Sequence, residues 1–164
     1  MTNLSADARR LADELKRRDV KVVFAESCTA GLVSASLSRI PGISQWLCGS
    51  AVTYRDDTKV QWLAVRPAEL LRESAVSQPV ARQMARGVLM NTPEAHLSAS
   101  VTGHLGPDAP PDLDGVIYVA VARRRGARIH VVREQRLLLT SSTRHKRQRE
   151  AVAQVFRCLL NSIK

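Results

Sequence analysis

Hydrophobic and polar positions along this chain switch between a helical and a β-type period, and the changeovers mark its elements. Leu4, Ala8, Leu11 and Leu15 share one helical face behind Ser5, a good capping residue, and Lys16, Arg17 and Arg18 close that helix where cations are favourable. Val22-Val23-Phe24 is a short β-type run suited to a buried strand. Glu26-Ser27-Cys28-Thr29 follows at once and opens a second helical pattern through Leu32, Ala35, Ser36 and Arg39, ended by Pro41-Gly42. A second strand is predicted at Ala51-Val52-Thr53-Tyr54, then a short helix capped by Asp56-Asp57 and carrying Lys59, Trp62 and Leu63. Pro67 starts another helical turn, and Ser77 caps a helix through Val80, Met84, Val88 and Leu89 with Pro79 in its first turn. Leu97 to Val101 reads as a third strand. Gly103 to Gly115 holds three prolines and three glycines and must be a loop. Val116 to Ala122 and Ile129 to Leu139 form an antiparallel hairpin around Gly126, and a last helix runs from about Thr143 to Ile163.

Helices alternate with strands early and a hairpin comes late. The pattern predicts an α/β fold, a three-layer α/β/α sandwich with a mixed, mostly parallel sheet of about five strands. The 164 residues, 45% hydrophobic and without a linker or repeat, point to one domain over residues 1–164. The apolar stretches fall far short of the roughly 20 residues that span a bilayer, and Met1 to Ser5 leads into a polar amphipathic segment instead of a signal peptide. No membrane partner and a cytoplasmic location are therefore expected. Cys28, Cys48 and Cys158 are odd in number and lack CxxC spacing, which argues against a disulfide framework and a zinc site.

A net charge of +10 raises the question of nucleic acid. The basic residues are spread from Arg9 to Arg157, with local runs only at Arg123 to Arg125 and Arg144 to Arg149, and aromatics for base stacking are 4% of the chain. A solvated basic surface explains the charge with fewer assumptions. Trp46 to Cys48, if exposed, would suggest a homo-oligomer; a core position for Trp46 is the alternative.

In an open α/β sheet the ligand crevice lies at the C-terminal ends of the strands, and three segments converge there. Glu26-Ser27-Cys28-Thr29-Ala30-Gly31 offers backbone N–H groups at a helix start, able to hold a phosphate or an oxyanion. Tyr54 to Lys59 follows the second strand. Thr102-Gly103-His104-Leu105-Gly106-Pro107 follows the third, with glycines that let the backbone approach a ligand. Ser27 is a candidate nucleophile and Lys59 its base, provided the pocket depresses the lysine pKa. Tyr54 could relay the proton or orient the amine. Against this, Ser27 could be a plain helix cap and Lys59 a solvated residue. Cys28 is a rival nucleophile, because a helix start lowers a thiol pKa, or else a small buried residue. His96, His104, His130 and His145 stand singly, without metal-like spacing, so neither a metal nor another cofactor is expected.

At these residues the sequence resembles the CinA C-terminal domain family, the nicotinamide mononucleotide deamidases. The family's AESCTGG, PGSS, TYSNEAK-like, GAVSE-P and TG-x-x-GP motifs correspond in order to AESCTAG at 25–31, PGIS at 41–44, TYRDDTK at 53–59, AVSQP at 75–79 and TGHLGP at 102–107. The resemblance implies metal-free hydrolysis of a nicotinamide carboxamide, with a pyridine nucleotide as the small-molecule partner. It places the family's serine, tyrosine and lysine on Ser27, Tyr54 and Lys59. It further implies an oxyanion held near Cys28, Thr29, Ala30 and Gly31, with Thr102 and Gly103 in the substrate site. Many family members carry an additional N-terminal nucleotide-hydrolase domain, for which 164 residues leave no room.

Three departures bear on activity. Ala30 replaces a glycine, a change that a helical conformation would tolerate. Asp108 to Asp114 replaces a glycine-rich loop ending in Lys-Pro-Val-Gly and puts Asp112 where a lysine is expected, which is unfavourable if that loop meets a phosphate. The family's Gly-Asp-Arg falls on Ser141-Ser142-Thr143, leaving Arg144 as a phosphate ligand one register off. Two readings follow: an active amidohydrolase, or a degenerate paralogue that binds a nucleotide or another small amide without efficient turnover.

Overall fold

The computed structural model describes residues 4–163. Its elements are α1 (Leu4–Arg18), β1 (Val22–Glu26), α2 (Leu32–Ser38), a 3-10 turn (Ile43–Gln45), β2 (Leu47–Val52), α3 (Asp56–Leu63), α4 (Pro67–Glu73), α5 (Gln78–Met90), β3 (Leu97–Gly103), β4 (Val116–Arg125), β5 (Arg128–Leu138) and α6 (Arg144–Leu160). They form one five-stranded sheet in the order β2-β1-β3-β4-β5. β1 pairs parallel with β2 and β3, while β4 pairs antiparallel with β3 and β5, so β4 alone runs against the other four.

Side-chain alternation along the strands sorts the core into two layers. Val22 and Phe24 of β1, with Leu97, Ala99 and Val101 of β3, face α1, α2 and α6; Val23 and Ala25 face α5 and the end of α3. A parallel strand covered on both faces reads as a continuous apolar run, which is why Val22-Val23-Phe24 carried no alternation. The α5 face of β3 is polar yet buried. Ser98, Ser100 and Thr102 donate to the carbonyls of Ala85, Ala81 and Ala75, fixing α5 and its approach segment along the strand. At Gly87 a Cβ would stand 1.9 Å from the Leu63 carbonyl oxygen, so the close crossing of α3 and α5 requires glycine there.

Several boundaries differ from the sequence expectation. α1 already includes Leu4 and Ser5, so Ser5 is not its cap, and the capping position lies outside the described residues. Arg55, not Asp56, occupies the N-cap of α3. Ser77 caps α5 by backbone position only, its hydroxyl donating to Ser74 O at 2.9 Å. β2 begins at Leu47 and ends before Thr53, drawn earlier by its pairing with β1. Trp46 is half-buried against α1, with Nε1 donating to Asp19 at 3.1 Å and Lys16 Nζ 5.9 Å from the ring centre. Among the described residues no helix is long and apolar enough to cross a membrane.

Candidate active site

The C-terminal ends of β1, β2 and β3 open onto a cleft of about 270 Å³. Its walls include Ser27 and Cys28 after β1, Tyr54, Asp56 and Lys59 after β2, Ala75 and Val76 before α5, Thr102 to Pro107 after β3, and Arg144 from the start of α6.

The turn after β1 is organised by a carboxylate. Glu26 is fully buried, and its Oε2 accepts from Thr29 Oγ1 at 2.8 Å, Gly31 N at 2.9 Å and Val33 N at 3.0 Å. Its Oε1 accepts from Ser34 N at 3.0 Å, Ser34 Oγ at 3.1 Å and Ser50 Oγ at 2.9 Å. A buried carboxylate is stable when its lone pairs are this fully engaged and the positive end of a helix lies against it. The helix expected to open at Glu26-Ser27 therefore begins only at Leu32, and its first N–H groups serve Glu26, not a ligand. Ala30 is not helical either. It adopts φ +51°, ahead of Gly31 at φ +95°, a left-handed conformation that costs an L-residue about 1–2 kcal/mol.

Ser27 is buried, with its N–H on Val101 O at 3.0 Å, and its hydroxyl faces the cleft without a hydrogen bond among the described residues. Cys28 lines the cleft, and burial pushes its thiol up to about 12; the cap effect expected to lower it is absent because α2 starts four residues later. Thr29, Ala30 and Gly31 do not line the cleft. The Ala30 N–H is bound to Ser27 O and the Gly31 N–H to Glu26, which leaves Cys28 and Thr29 as the N–H groups of this turn that donate to no other described residue.

Lys59 is 1% exposed. Burial lowers its pKa from the ordinary lysine range, opposed by Asp56, whose Oδ1 lies 3.7 Å from Nζ. Nζ donates to Thr53 O at 3.0 Å and reaches Tyr54 O at 3.5 Å. Thr53 O, Tyr54 O and Asp56 Oδ1 thus surround Nζ, in the cleft that Ser27 also lines.

Tyr54 is 54% exposed at the rim, and its hydroxyl accepts from Arg144 Nη2 at 3.0 Å while Arg144 Nη1 donates to Gly106 O at 2.7 Å. Arg144 thereby ties the β2 and β3 sides of the cleft together. Thr143 takes the N-cap of α6 and accepts from Lys146 N. An aspartate can fill that same capping role.

Thr102 is buried with its hydroxyl committed to Ala75 O at 2.8 Å. At Gly103 a Cβ would come within 2.5 Å of Ile117 Cγ2 and 2.7 Å of Val116 O, and at Gly106 within 2.7 Å of Asp114 Oδ1. Both glycines are crowded by packing inside the protein, and both also line the cleft. Asp114 forms a two-pronged pair with Arg147 at 2.7 and 2.9 Å, and hydrogen bonding to that guanidinium holds its carboxyl below the usual range. Asp108 to Asp114 lie outside the cleft wall, and Asp112 meets Arg136 only through its main-chain carbonyl.

Of the expected residues, the structure gathers Ser27, Cys28, Tyr54, Lys59, Thr102, Gly103 and Arg144 around one cleft. Three contributors escaped sequence reasoning: Glu26 as the anchor of the turn, Gln148, whose Nε2 donates to the carbonyls of Cys28 and Thr29, and Arg147. The signal for Glu26 was a carboxylate ending an apolar strand. Gln148 carried none, because its partners are main-chain atoms about 120 positions away. Among the described residues no three His, Cys, Asp or Glu side chains converge as a metal-holding group.

The family model of the CinA C-terminal domain matches residues 5–163. The nicotinamide-nucleotide amidohydrolase PncC of Escherichia coli K12 is 36% identical over 121 residues, which cover 73% of this chain and 73% of that protein. A CinA-like protein of Chlorobaculum tepidum is 40% identical over 112 residues, 67% of this chain but 26% of the relative, and one of Myxococcus xanthus is 37% identical over 119 residues, 71% of this chain and 28% of the relative. The chain thus spans less than a third of the length of these CinA-like relatives. The crystal structure of the competence/damage inducible protein CihA from Agrobacterium tumefaciens superposes with a TM-score of 0.89 at 27% identity, covering 99% of this chain and 96% of the other.

Proposed function

The chain belongs to the CinA C-terminal domain family, and on that premise we propose that it is an amidohydrolase that converts nicotinamide mononucleotide to nicotinate mononucleotide and ammonia. The observation that carries this reading is the buried Lys59 amine, its pKa lowered by burial and its N–H groups held by main-chain carbonyls, lining one cleft with an unpartnered Ser27 hydroxyl. The similarity to the Escherichia coli amidohydrolase supports the choice of substrate.

In the proposed course, Ser27 Oγ adds to the carboxamide carbon while Lys59 Nζ takes its proton. The carbonyl oxygen becomes an oxyanion facing the Cys28 N–H, which lies on the cleft wall. The C–N bond then breaks as Lys59 returns the proton to nitrogen, and ammonia leaves. Water adds to the acyl ester with Lys59 again as base, and collapse releases the carboxylate and restores Ser27. Tyr54, receiving a hydrogen bond from Arg144, keeps its own O–H to donate to substrate. Arg144 supplies positive charge at the rim for the phosphate. That Asp108 to Asp114 do not line this cleft favours the active reading over the degenerate one.

The test is ammonia release from nicotinamide mononucleotide by the purified protein, with Ser27→Ala as the control. The expected result is turnover that falls by at least about 10³-fold in the variant while its thermal midpoint is kept. Equal release by wild type and Ser27→Ala would remove Ser27 as the nucleophile, and no release by folded wild type would remove this substrate.

A further inference from the structure

Asp56 and Lys59 stand three positions apart in the first turn of α3, so a carboxylate and an amine share one helix face, and both line the cleft. Three acceptors surround Lys59 Nζ: Thr53 O at 3.0 Å, Tyr54 O at 3.5 Å and Asp56 Oδ1 at 3.7 Å. The two carbonyls belong to the main chain and stay whatever the side chains are. Of the three, only Asp56 brings a formal charge, and only Asp56 can be exchanged without touching the backbone. Its side chain is 60% exposed while Lys59 is buried, so the charge acting on the amine is itself open to solvent and salt.

An anion beside an ammonium favours the charged form, and burial favours the neutral one. The two influences meet at one nitrogen, where burial prevails and Asp56 limits it. We propose that Asp56 is a positioning residue for Lys59, its carboxylate holding Nζ through each proton transfer. This rests on the amidohydrolase reading above, in which Lys59 takes the Ser27 proton and passes it to the leaving nitrogen. Between those two transfers Lys59 is cationic, so Asp56 stabilises the addition intermediate more than the neutral amine that precedes it. The carboxylate therefore has two effects of opposite sense. It raises the rate open to the deprotonated base, and it delays deprotonation to higher pH. The other ionisable or charged side chains on this cleft are Cys28 in the turn, Tyr54 at the rim, His104 in the loop after β3 and Arg144 of α6, and Glu26 is buried in the turn. Burial leaves the Cys28 thiol uncharged, pushed up to about 12. All of these are common to wild type and to a variant at Asp56, so a difference between the two reports the Asp56 charge.

The test compares wild type with Asp56→Asn, which keeps the shape and removes the charge, and with Asp56→Glu, which keeps the charge. NMR of the lysine Cε and Nζ atoms follows the Lys59 titration directly, with its resonance assigned by its loss in Lys59→Met. In Asp56→Asn that titration should move to lower pH by about 0.5–1 pH unit, less than a close, fully buried opposite charge would give. Asp56→Glu should stay nearer to wild type. Added salt should move the wild-type titration in the same direction and leave Asp56→Asn nearly fixed, because an exposed carboxylate is screened. With nicotinamide mononucleotide, the acid limb of kcat should move down with the titration while the plateau above it falls about two- to fivefold, so that the two profiles cross. Damage to packing lowers a profile without moving its limb. Coincident titrations for wild type and Asp56→Asn would overturn the proposal. A titration that moves while the acid limb stays would remove Lys59 as the base, and the role of Asp56 with it. A titration that moves in a wild type that releases no ammonia would support the hold of Asp56 on Lys59 and overturn the assigned substrate.

Discussion

The turn after β1 and the loop after β3 leave neighbouring strands at the same end of the sheet, yet they are held in opposite ways. The turn is anchored from within by Glu26, the last residue of its own strand, which binds six donors on α2, β2 and the turn itself. The loop is anchored from outside, by Arg144 and Arg147 of α6 gripping Gly106 O, Leu105 O and Asp114. An internal anchor couples the residue identities to one another, since moving Glu26 strands donors on three elements. An external grip on main-chain carbonyls leaves the side chains between them freer, with Asp114, paired through its carboxylate with Arg147, as the exception. Chemistry placed on the turn is therefore rigidly specified, and the loop from Asp108 to Leu113 is open to change.

The comparison breaks most severely at Glu26. Glu26→Ala should cost at least about 3 kcal/mol in chemical denaturation, because several buried donors lose their acceptor together. A loss below about 1 kcal/mol would mean water replaces the carboxylate and the turn is not internally anchored. Lys59→Met keeps the turn and removes only the base. It should lower kcat about 10³-fold and erase the ascending acid limb of the pH profile, which marks loss of the Lys59 proton. Its effect on stability has the opposite sign. A folded pKa below the unfolded one means that the unfolded chain holds more protons as pH falls beneath the ordinary lysine range, so the buried amine destabilises the fold at neutral pH. Lys59→Met should accordingly raise the denaturation midpoint at pH 7, and a lowered midpoint would contradict the desolvated amine.

Arg147→Ala probes the external grip. Losing a half-exposed pair and two carbonyl contacts should cost about 1 kcal/mol, with a several-fold rise in KM and little change in kcat. A collapse of kcat would show that the loop, too, carries chemistry. The smallest effect sharpens the picture within the turn. Ala30→Gly relieves a left-handed alanine at φ +51° while adding freedom to the unfolded chain, so a net gain of about 0.5–1 kcal/mol is expected, read as a rise of a few degrees in thermal midpoint.

Much of this was legible along the chain. The five strands, the late hairpin and the helix on Leu4, Ala8, Leu11 and Leu15 follow from local periodicity, which depends on neighbours three or four positions away. Ser27, Tyr54 and Lys59 were found because each lies just beyond a strand end, where the topology of an open sheet puts its crevice. One inference about local setting failed: Ser27 was placed at a helix start, but that start is displaced to Leu32 by Ser50, distant in sequence, and by the N–H groups of Val33 and Ser34 closing on Glu26. The crowding of Gly103 by Ile117 and of Gly106 by Asp114 was not legible along the chain either.

By itself, the sequence determined the layer order, the strand that each chemical residue follows and the residue types available at the crevice, because periodicity and capping are properties of short segments. Only the tertiary structure decided which hydrogen-bonding groups remain unspent: that Glu26 consumes the N–H groups of Gly31, Val33 and Ser34, that burial raises the Cys28 thiol and lowers Lys59, and that Gln148 donates to the carbonyls of Cys28 and Thr29. Those outcomes depend on burial and on competition among donors and acceptors brought together from distant positions, and neither quantity exists until the chain has folded.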